Sequence, residues 1–510
     1  MRYHLVLLLL LCCWPKPSPA HSWSGSGNTP TTPPAGYFSF SPLARSIYQN
    51  ILSLRFAEAR AALPTLRRQE PSNLIVAYLE NTLEVLQILV DDDQAAYERW
   101  SGGMNARLSR IARGDARSPY FLFTQAEIRL QWAALRLRYG DYWSGLNNIK
   151  QGYSLLRENQ RRYPAFRANL KSQAILHALV GNIPGEYKWA VQWLSGIEGT
   201  VGQGLTELNR LLDEASGQDF VWEEETRIAC AFLQLHLANN QQAAWQTLSS
   251  SKRLDPQSNP LAAFVLANLA IRTARNDEAI RLLEHCPQGA PFHPFPYRDY
   301  LLGIARLNRL DPDAGQALER FIREFKGQNG IKEACQKLAW HHLLAGRPEQ
   351  YRHYMALVQS RGTERSEPDK AALREARSGE WPDVQLLRAR LLFDGGYYRR
   401  AYALLSHAGA NYTQSGKSGL EYHYRMGRIA HALGQLPEAV RYYTFTIEAG
   451  ARQPWFFACN AALQLGLLYE QRQEKKLARA AFRRCLDIRP EEYGAGLHTR
   501  AKAGLERVRG

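Results

Sequence analysis

Apolar residues recur every three or four positions along most of the chain, with polar residues between them. Between positions 40 and 510 this pattern forms roughly 20–26 amphipathic segments, each about 10–20 residues long. Short turns with Gly, Pro, Asn or Asp separate the segments, for example at Tyr139–Asp141, Leu254–Pro256 and Leu310–Pro312. Strict alternation of apolar and polar residues, which is typical of strands, is scarce. The sequence therefore predicts an all-α fold of about 20–26 helices, without a flexible linker after position 40.

A pattern of residue sizes spanning about 34 positions is clearest between Cys459 and Glu492. Its small members, Gly466 and Ala478, would let two neighbouring helices approach closely. Its larger members fall at helical spacing and would fill the seam between those helices, and a proline ends the second helix because it lacks a backbone N–H. These members are Leu465, Tyr469, Phe482 and Pro490.

The same pattern of sizes occurs again upstream. The preceding unit, from Leu420, has Gly427, Ala439 and Tyr443 at equivalent positions, with Gly434 in the turn. The unit that begins at Pro382 continues with Ala389, Gly396, Tyr398, Ala401 and Leu405. Weaker matches lie at Ala59, Leu63 and Pro71, and from Trp132 to Gly145. Together they predict one continuous array that is regular over 382–492 and degenerate elsewhere.

In these segments the chain resembles the tetratricopeptide repeat (TPR), a helix-turn-helix unit that stacks into a superhelix. The resemblance implies a right-handed superhelical solenoid of antiparallel helix pairs. It divides the chain into divergent TPR-like repeats over 37–381, regular repeats over 382–492 and a C-terminal capping helix over 493–510. It also implies a non-enzymatic scaffold that binds a protein or peptide partner in a concave helical groove.

The first 36 residues have a different character. Leu5–Cys13 is an apolar run that follows Arg2, and small residues stand at Ser18 and Ala20. The run is far shorter than the ~20 residues that span a bilayer, so we expect a signal peptide over 1–20 and a mature chain that begins at His21. Residues 21–36 are rich in Pro, Ser and Gly, which predicts a disordered linker.

This leader suggests an exported, bacterial-type TPR protein that is periplasmic, envelope-associated or secreted. Cys12 and Cys13 leave a second possibility open, in which one of them is lipidated and anchors the protein to a membrane. Neither cysteine follows the small residue that lipidation requires, because Leu11 precedes Cys12 and Cys12 precedes Cys13. The cleaved leader is therefore the preferred interpretation.

The chain is strongly basic, with 64 Lys and Arg against 48 Asp and Glu and a formal net charge of +16. The excess is mainly Arg and is scattered along the helices, which is also typical of a solvated surface. Because the leader directs the protein out of the cytoplasm, we do not expect nucleic acid as the partner. An acidic protein segment, an anionic membrane or an acidic glycan fits the charge better. An alternative function is therefore envelope assembly through peripheral contact between the basic surface and a membrane or glycan.

No catalytic, cofactor-binding or metal-binding motif stands out. Ser415–Ser418 ends like a phosphate-binding loop, but position 411 is Asn where that loop requires Gly. His341 and His342 lack the Glu and the spacing of a zinc protease. We therefore expect a protein that is not an enzyme and binds no cofactor, metal or small-molecule substrate. The 12 Trp residues leave one enzymatic alternative, an (α/α) toroid that processes glycans.

Five cysteines follow the leader, and an odd, widely spaced set is not a disulfide framework. Cys459 and Cys485 lie near the start of the first helix and towards the end of the second helix of one repeat. Antiparallel packing would bring them near each other, and an exported protein can be oxidised. Two small core residues are the simpler interpretation, and a disulfide is the alternative.

The resemblance to TPR arrays implies a concave groove lined by the first helix of each repeat. Mapped onto the regular repeats, the outward positions in this groove are Arg390, Phe393, Tyr424, Arg428, His431, Asn460, Glu470 and Gln471. Arg390 and Arg428 fall at the same position of successive repeats, so they are expected to form a basic pair. Such a groove suits an extended acidic or aromatic peptide. The alternative is that these residues only keep the inner surface soluble.

Overall fold

The computed structural model describes residues 36–181, 196–412 and 416–509. The expected signal peptide, the possible lipidation sites and nearly all of the expected linker lie outside these ranges. The described residues form 25 α-helices and no strand, which confirms the all-α class and the expected number of helices. Isolated backbone bridges join Gly36 to Gly114 and Tyr37 to Asn73, where the first described residues run beside the N-terminal helices.

Thirteen of these helices precede position 290. They are α1 (Pro42–Leu52), α2 (Phe56–Gln69), α3 (Ile75–Asp91), α4 (Gln94–Trp100), α5 (Gly103–Ile111), α6 (Pro119–Arg138), α7 (Tyr142–Arg162), α8 (Ala168–Val180), α9 (Val201–Ala215), α10 (Glu223–His236), α11 (Gln241–Ser249), α12 (Pro260–Arg272) and α13 (Asn276–Glu284).

The remaining twelve helices form the C-terminal half, together with a short 3₁₀ helix at Gly409–Tyr412. They are α14 (Tyr297–Arg309), α15 (Ala314–Glu324), α16 (Ile331–Leu344), α17 (Pro348–Ser360), α18 (Glu367–Ser378), α19 (Val384–Asp394), α20 (Tyr398–Ala408), α21 (Lys417–Ala432), α22 (Leu436–Gly450), α23 (Phe457–Gln471), α24 (Lys475–Asp487) and α25 (Gly494–Arg507). The last helix, α25, lies within the segment 493–510 for which a capping helix was expected.

Local sequence explains where many helices begin. Asn259 precedes α12, and its side-chain oxygen accepts hydrogen bonds from the backbone N–H groups of Leu261 and Ala262. Asp383 caps α19 through the N–H groups of Gln385 and Leu386, both at 2.9 Å. Each cap satisfies N–H groups that have no partner within the helix, so it fixes the first turn.

Consecutive helices pack as antiparallel pairs, and a residue with positive φ lies in the turn of each regular pair. From α10 onwards these residues are Asn239, Ala274, Leu310, Gly346, Gly396, Gly434 and Gln473. From Asn239 to Gly346, each of these residues follows the previous one by 35 or 36 positions. From Gly396 to Gln473, the separations are 38 and 39 positions. The wider gap between Gly346 and Gly396 holds the additional helix α18. Regular pairs therefore continue upstream of 382, where the size pattern in the sequence is degenerate.

The seam of the last regular pair contains the small and large residues that the sequence pattern predicts. A Cβ atom at Gly466 would lie 2.5 Å from the Phe482 ring, and Ala478 and Phe482 have no exposed surface. In the preceding pair, a Cβ at Gly427 would lie 2.8 Å from the Tyr443 ring. Glycine is required at both positions because a large aromatic ring lies directly against its backbone.

The array also makes contacts between helices that are far apart in sequence. Asp92, directly after α3, accepts hydrogen bonds at 2.9 Å from the backbone N–H groups of Gln328 and Asn329. Arg138 donates to the same carboxylate at 2.6 Å, and the side chains of Asp92 and Arg138 are buried. A second long-range contact joins the first turn of α13 to the turn after α19, where the Tyr397 hydroxyl donates to Asp277 at 2.8 Å.

The connection between α13 and α14 lies across the N-terminal helices. The backbone N–H of His293 donates to the carbonyl of Leu54 at 2.7 Å, and the His293 ring lies 2.6 Å from an Asp91 oxygen. The guanidinium of Arg55 stacks over the Phe292 ring at 5.0 Å. The long-range contacts at Asp92 and His293 therefore attach the N-terminal helices to the middle of the chain. Among the described helices, none is long and apolar enough to cross a membrane.

Candidate binding groove

The candidate groove residues come from the first helices of three successive pairs, α19, α21 and α23, which pack side by side. We call the surface formed by these helices together with α16 the inner groove. Its polar and aromatic side chains are supported from below by the apolar residues of the same helices. Leu391, Ile429 and Leu463 are each buried in that core.

Arg390 on α19 lies over the indole of Trp340 on α16, with 4.8 Å between the guanidinium carbon and the ring centre. Its side chain is 42% exposed, and the nearest carboxylate, that of Asp394, is 3.9 Å away. The flat guanidinium is therefore held against an aromatic surface and remains accessible to a ligand.

Arg428 on α21 repeats this arrangement one pair further along. Its guanidinium lies 4.7 Å from the ring centre of Phe393 on α19, and its Nη1 donates to the Tyr424 hydroxyl at 2.9 Å. In the described part of the chain, the contacts of this guanidinium are with rings and a phenol rather than with a carboxylate. Arg390 and Arg428, which fall at the same position of successive repeats, thus each stack on an aromatic ring of a neighbouring helix.

Tyr424 was expected to project outward, but its ring is buried. Phe456 and Phe457 at the start of α23 cover it, with ring centres 5.9 and 5.7 Å away. Its hydroxyl accepts hydrogen bonds from Arg428 and from the Asn460 amide, the latter at 2.7 Å. Because the aromatic pair is contributed by the next helix, the repeat position alone does not reveal this burial. Tyr424 orients Arg428 and Asn460 from below.

His431, Asn460 and Gln471 continue the inner groove towards the C-terminus. Nδ1 of His431 lies 3.3 Å from the Tyr443 hydroxyl, and the oxygen of Asn460 accepts from Gln464 at 3.1 Å. Burial lowers the pKa of His431, and the Arg428 charge, partly offset by a hydrogen bond with Gln471, lowers it further. The imidazole is therefore neutral at pH 7, and this end of the groove presents neutral polar groups.

Glu470 is engaged differently from the other candidates. Its two oxygens accept hydrogen bonds from Arg507 of α25, at 2.6 and 2.8 Å. This paired contact fastens the C-terminal helix to α23. It also neutralises the one acidic residue among the candidates.

Four further groove residues were not singled out in the sequence. Nζ of Lys337 lies 3.8 Å from the centre of the Trp340 ring, and Glu375 accepts a hydrogen bond from Trp340 Nε1 at 2.6 Å. Across the groove, the guanidinium of Arg374 lies 5.0 Å from the ring centre of Tyr493. Tyr493 also contacts Phe456 edge-on at 5.1 Å. No repeat signal marks Arg374, Glu375 or Tyr493, because α18 is an insertion and Tyr493 follows the last regular pair.

Comparison with known families identifies the C-terminal part of this surface. The family model described as "Tetratricopeptide repeat" matches residues 460–492. Over these residues the chain is similar to a tetratricopeptide repeat. Within this repeat, α23 carries Asn460 and Gln471 into the groove, and α24 packs behind it. No curated protein sequence matches the chain.

Two solved structures align with most of the chain at low sequence identity. A crystal structure of the APC/C hetero-tetramer Cut9-Hcn1 shares 13% identity and has a TM-score of 0.24, over 90% of this chain and 95% of that chain. A structure of Naa15/Naa10 bound to HypK-THB shares 12% identity and has a TM-score of 0.20, over 92% of this chain and 79% of that chain. At TM-scores of this size the whole chains do not superpose.

His341 and His342, the histidine pair noted in the sequence, are buried in α16 beside the inner groove. The His342 ring stacks on Tyr354 with 5.1 Å between ring centres, and neither of its nitrogens has a hydrogen-bond partner. Burial, together with Arg347 and the neighbouring histidines, lowers the pKa of His342 to about 4. Over the described ranges, no three His, Cys, Asp or Glu residues gather in a way that could hold a metal ion.

Proposed function

We propose that this protein is a non-enzymatic interaction scaffold that binds an extended acidic segment of a partner protein in the inner groove. The observation that carries the proposal is the repeated contact of Arg390 with Trp340 and of Arg428 with Phe393. Stacking on a ring restrains the guanidinium and leaves N–H groups at its edge that can donate to carboxylates, although Nη1 of Arg428 already donates to Tyr424. Two such groups on neighbouring helices favour a ligand that carries more than one carboxylate.

The spacing of the two arginines suggests how the acidic residues of the ligand are arranged. Packed helices have axes about 8–10 Å apart, and a peptide in the extended polyproline II conformation advances about 3.1 Å per residue, with side chains three positions apart on one face. Acidic residues three positions apart therefore match Arg390 and Arg428. The neutral end of the groove at His431, Asn460 and Gln471 would bind backbone amides or polar side chains of the same segment.

Two peptides of identical composition test this proposal. Both contain four Glu and eight Ser, with Glu at every third position in one and in a single block in the other. We expect the spaced peptide to bind more tightly by fluorescence anisotropy, and the preference to disappear in Arg428→Gln. Equal binding of both peptides, unaffected by Arg428→Gln, would contradict the proposal that the groove prefers acidic residues at this spacing.

We further infer that the protein is exported, on the basis of the apolar run Leu5–Cys13 and the small residues Ser18 and Ala20. Intact mass of the protein isolated from its producing cells tests this. The expected mature chain begins at His21. A retained Met1 or a lipid on Cys12 or Cys13 would contradict cleavage at that position.

One observation favours a second function, the binding of an anionic membrane or glycan in envelope assembly. The outer face of α24 exposes Lys476, Arg483 and Arg484 around Leu477, which is 49% exposed. A basic face with an exposed apolar residue suits peripheral contact with anionic lipid. Sedimentation with vesicles of phosphatidylglycerol tests it. The double variant Arg483→Glu/Arg484→Glu should lose binding if the outer face is used and retain it if the inner groove is used.

A further inference from the structure

Cys459 and Cys485 face each other inside the C-terminal TPR. Cys459 lies in the first turn of α23 and Cys485 in the last turn of α24, and their sulfur atoms are 3.6 Å apart. The Cys459 thiol also lies 3.4 Å from the carbonyl oxygen of Cys485. Both residues have no exposed surface.

The other three cysteines of the described chain have different surroundings. Cys230 lies 3.4 Å from an Asn209 oxygen, and Cys286 contacts the carbonyl of Pro260 at 3.9 Å. Cys335 is buried in α16, and burial raises the pKa of all three thiols. Among the described cysteines, therefore, the sulfur–sulfur contact is specific to Cys459 and Cys485.

We propose that Cys459 and Cys485 form a modification site, an intramolecular disulfide that fastens α23 to α24. A disulfide has a sulfur–sulfur distance of about 2.05 Å, so the two sulfurs must approach by about 1.5 Å. Small rotations of both side chains supply this movement without separating the helices. The inference goes beyond partner binding, because it concerns the covalent state of the repeat whatever the groove holds.

A small-molecule disulfide such as oxidised glutathione supplies the oxidising equivalents. The Cys459 thiolate attacks one sulfur of that disulfide, which forms a mixed disulfide and releases one thiolate. The Cys485 thiolate then attacks the Cys459 sulfur and releases the second thiolate. The two protein thiols lose two protons and two electrons, and one disulfide is reduced to two thiols. A hydrogen bond from Cys485 lowers the pKa of Cys459, so Cys459 is suited to the first attack.

Access to the buried pair requires local opening of the fold. Opening of α24 and α25 would expose the two thiols. Oxidation of the folded protein should therefore be slow and should follow this local opening. Oxidation during folding needs no such opening and should give the same disulfide.

Peptide mapping of the full-length protein tests the proposal. The protein is purified with reductant and then either refolded with a mixture of oxidised and reduced glutathione or incubated folded with that mixture. We expect the loss of two free thiols and a linked pair of peptides that contain Cys459 and Cys485. Cys335→Ser is the matched control and should still lose two thiols, whereas Cys459→Ala and Cys485→Ala should lose none.

A second readout separates a specific disulfide from adventitious oxidation. The bond should slow amide hydrogen exchange in α24 by about tenfold or more, because it restricts the opened state. The reduced wild type and Cys459→Ala should both show the faster amide exchange in α24. The oxidised and reduced wild type have the same sequence, so their difference does not depend on whether a substitution disturbs folding. A full set of free thiols after oxidative refolding, or linkage of another cysteine pair, would overturn the assignment.

Discussion

The carboxylate of Asp92 and the backbone N–H of Asn329 are joined by a 2.9 Å hydrogen bond across 237 positions of the chain. The Asn329 side-chain amide and Arg138 donate to the same carboxylate, at 2.8 and 2.6 Å. This buried cluster connects the end of α3 to the start of α16. It therefore links the N-terminal helices to a helix of the inner groove.

Asp92→Asn should destabilise the protein by about 3–5 kcal/mol, because it leaves the buried Arg138 charge without its partner. Differential scanning calorimetry measures the effect as a lowered unfolding temperature. Asp219→Asn is the matched control, since Asp219 is 69% exposed and pairs with Arg45 at the surface. Its expected effect is below about 1 kcal/mol. Equal, small effects of the two substitutions would contradict the role assigned to the Asp92 cluster.

The Asp92 cluster also predicts a dependence of stability on pH. Burial raises the pKa of Asp92, but Arg138 and the N–H groups of Asn329 and Gln328 outweigh it and hold the pKa below its ordinary value. The unfolded state therefore binds the proton more readily, and the contribution of Asp92 is lost as pH falls through the acid range. Unfolding temperatures of the wild type and Asp92→Asn should converge below about pH 4.

His342 predicts a second pH effect, at less acidic pH. Its pKa is about 4 in the folded protein against 6.5 ordinarily, so the unfolded state gains a proton first as the pH falls. Stability should therefore decrease between pH 6.5 and 4, by up to about 3 kcal/mol.

His342→Phe should remove this pH dependence, because the phenyl ring can stack on Tyr354 and cannot be protonated. The gain in unfolding temperature over wild type should be larger at pH 5 than at pH 7.5. His285→Phe, at an exposed histidine, is the matched control and should show no such difference. A parallel shift of His342→Phe at both pH values would refute the explanation.

Substitutions at Gly466 and Gly434 compare the free-energy cost of a steric contact with that of an unfavourable backbone conformation. Gly466→Ala places a Cβ 2.5 Å from the buried Phe482 ring and should cost about 1–3 kcal/mol. Gly434→Ala meets no atom within 4 Å, but φ is +76° there, so about 1 kcal/mol is expected from the backbone alone. Hydrogen exchange of α23 and α24 measures the local loss of stability. A larger loss from Gly434→Ala would mean that the repeat register is wrong.

Local features of the fold could be predicted from the sequence, because they depend on residues close together in the chain. Gly466 and Phe482 show this, since their sizes and spacing alone indicate a tight helix pair. The turn at Ala274 was less apparent, because this residue adopts positive φ without the glycine that usually marks it. The regular pairs upstream of 382 were therefore harder to recognise.

The candidate groove was predicted only in part, for a physical reason. The equal repeat positions of Arg390 and Arg428 follow from periodicity. Which aromatic ring lies against each arginine depends on how neighbouring helices approach each other. Trp340 was not recognised as the partner of Arg390 because the inserted helix α18 separates the two residues in the sequence. Contacts such as Arg374 with Tyr493, and Asp92 with Asn329, depend on curvature accumulated over many helices. A pattern with the period of one repeat does not contain that information.

The central claim is that Arg390 and Arg428 of the inner groove bind an acidic partner segment. Fluorescence anisotropy with labelled poly-L-glutamate tests it most directly, at low and high salt. Arg390→Glu and Arg428→Glu should each weaken binding by about 1 kcal/mol, roughly fivefold, and the double variant by more than either. Added salt should weaken wild-type binding as well. Arg483→Glu, on the outer face of α24, should leave binding unchanged, and all variants should keep the wild-type unfolding temperature. Equal loss from Arg483→Glu, or no loss from either groove substitution, would contradict the claim.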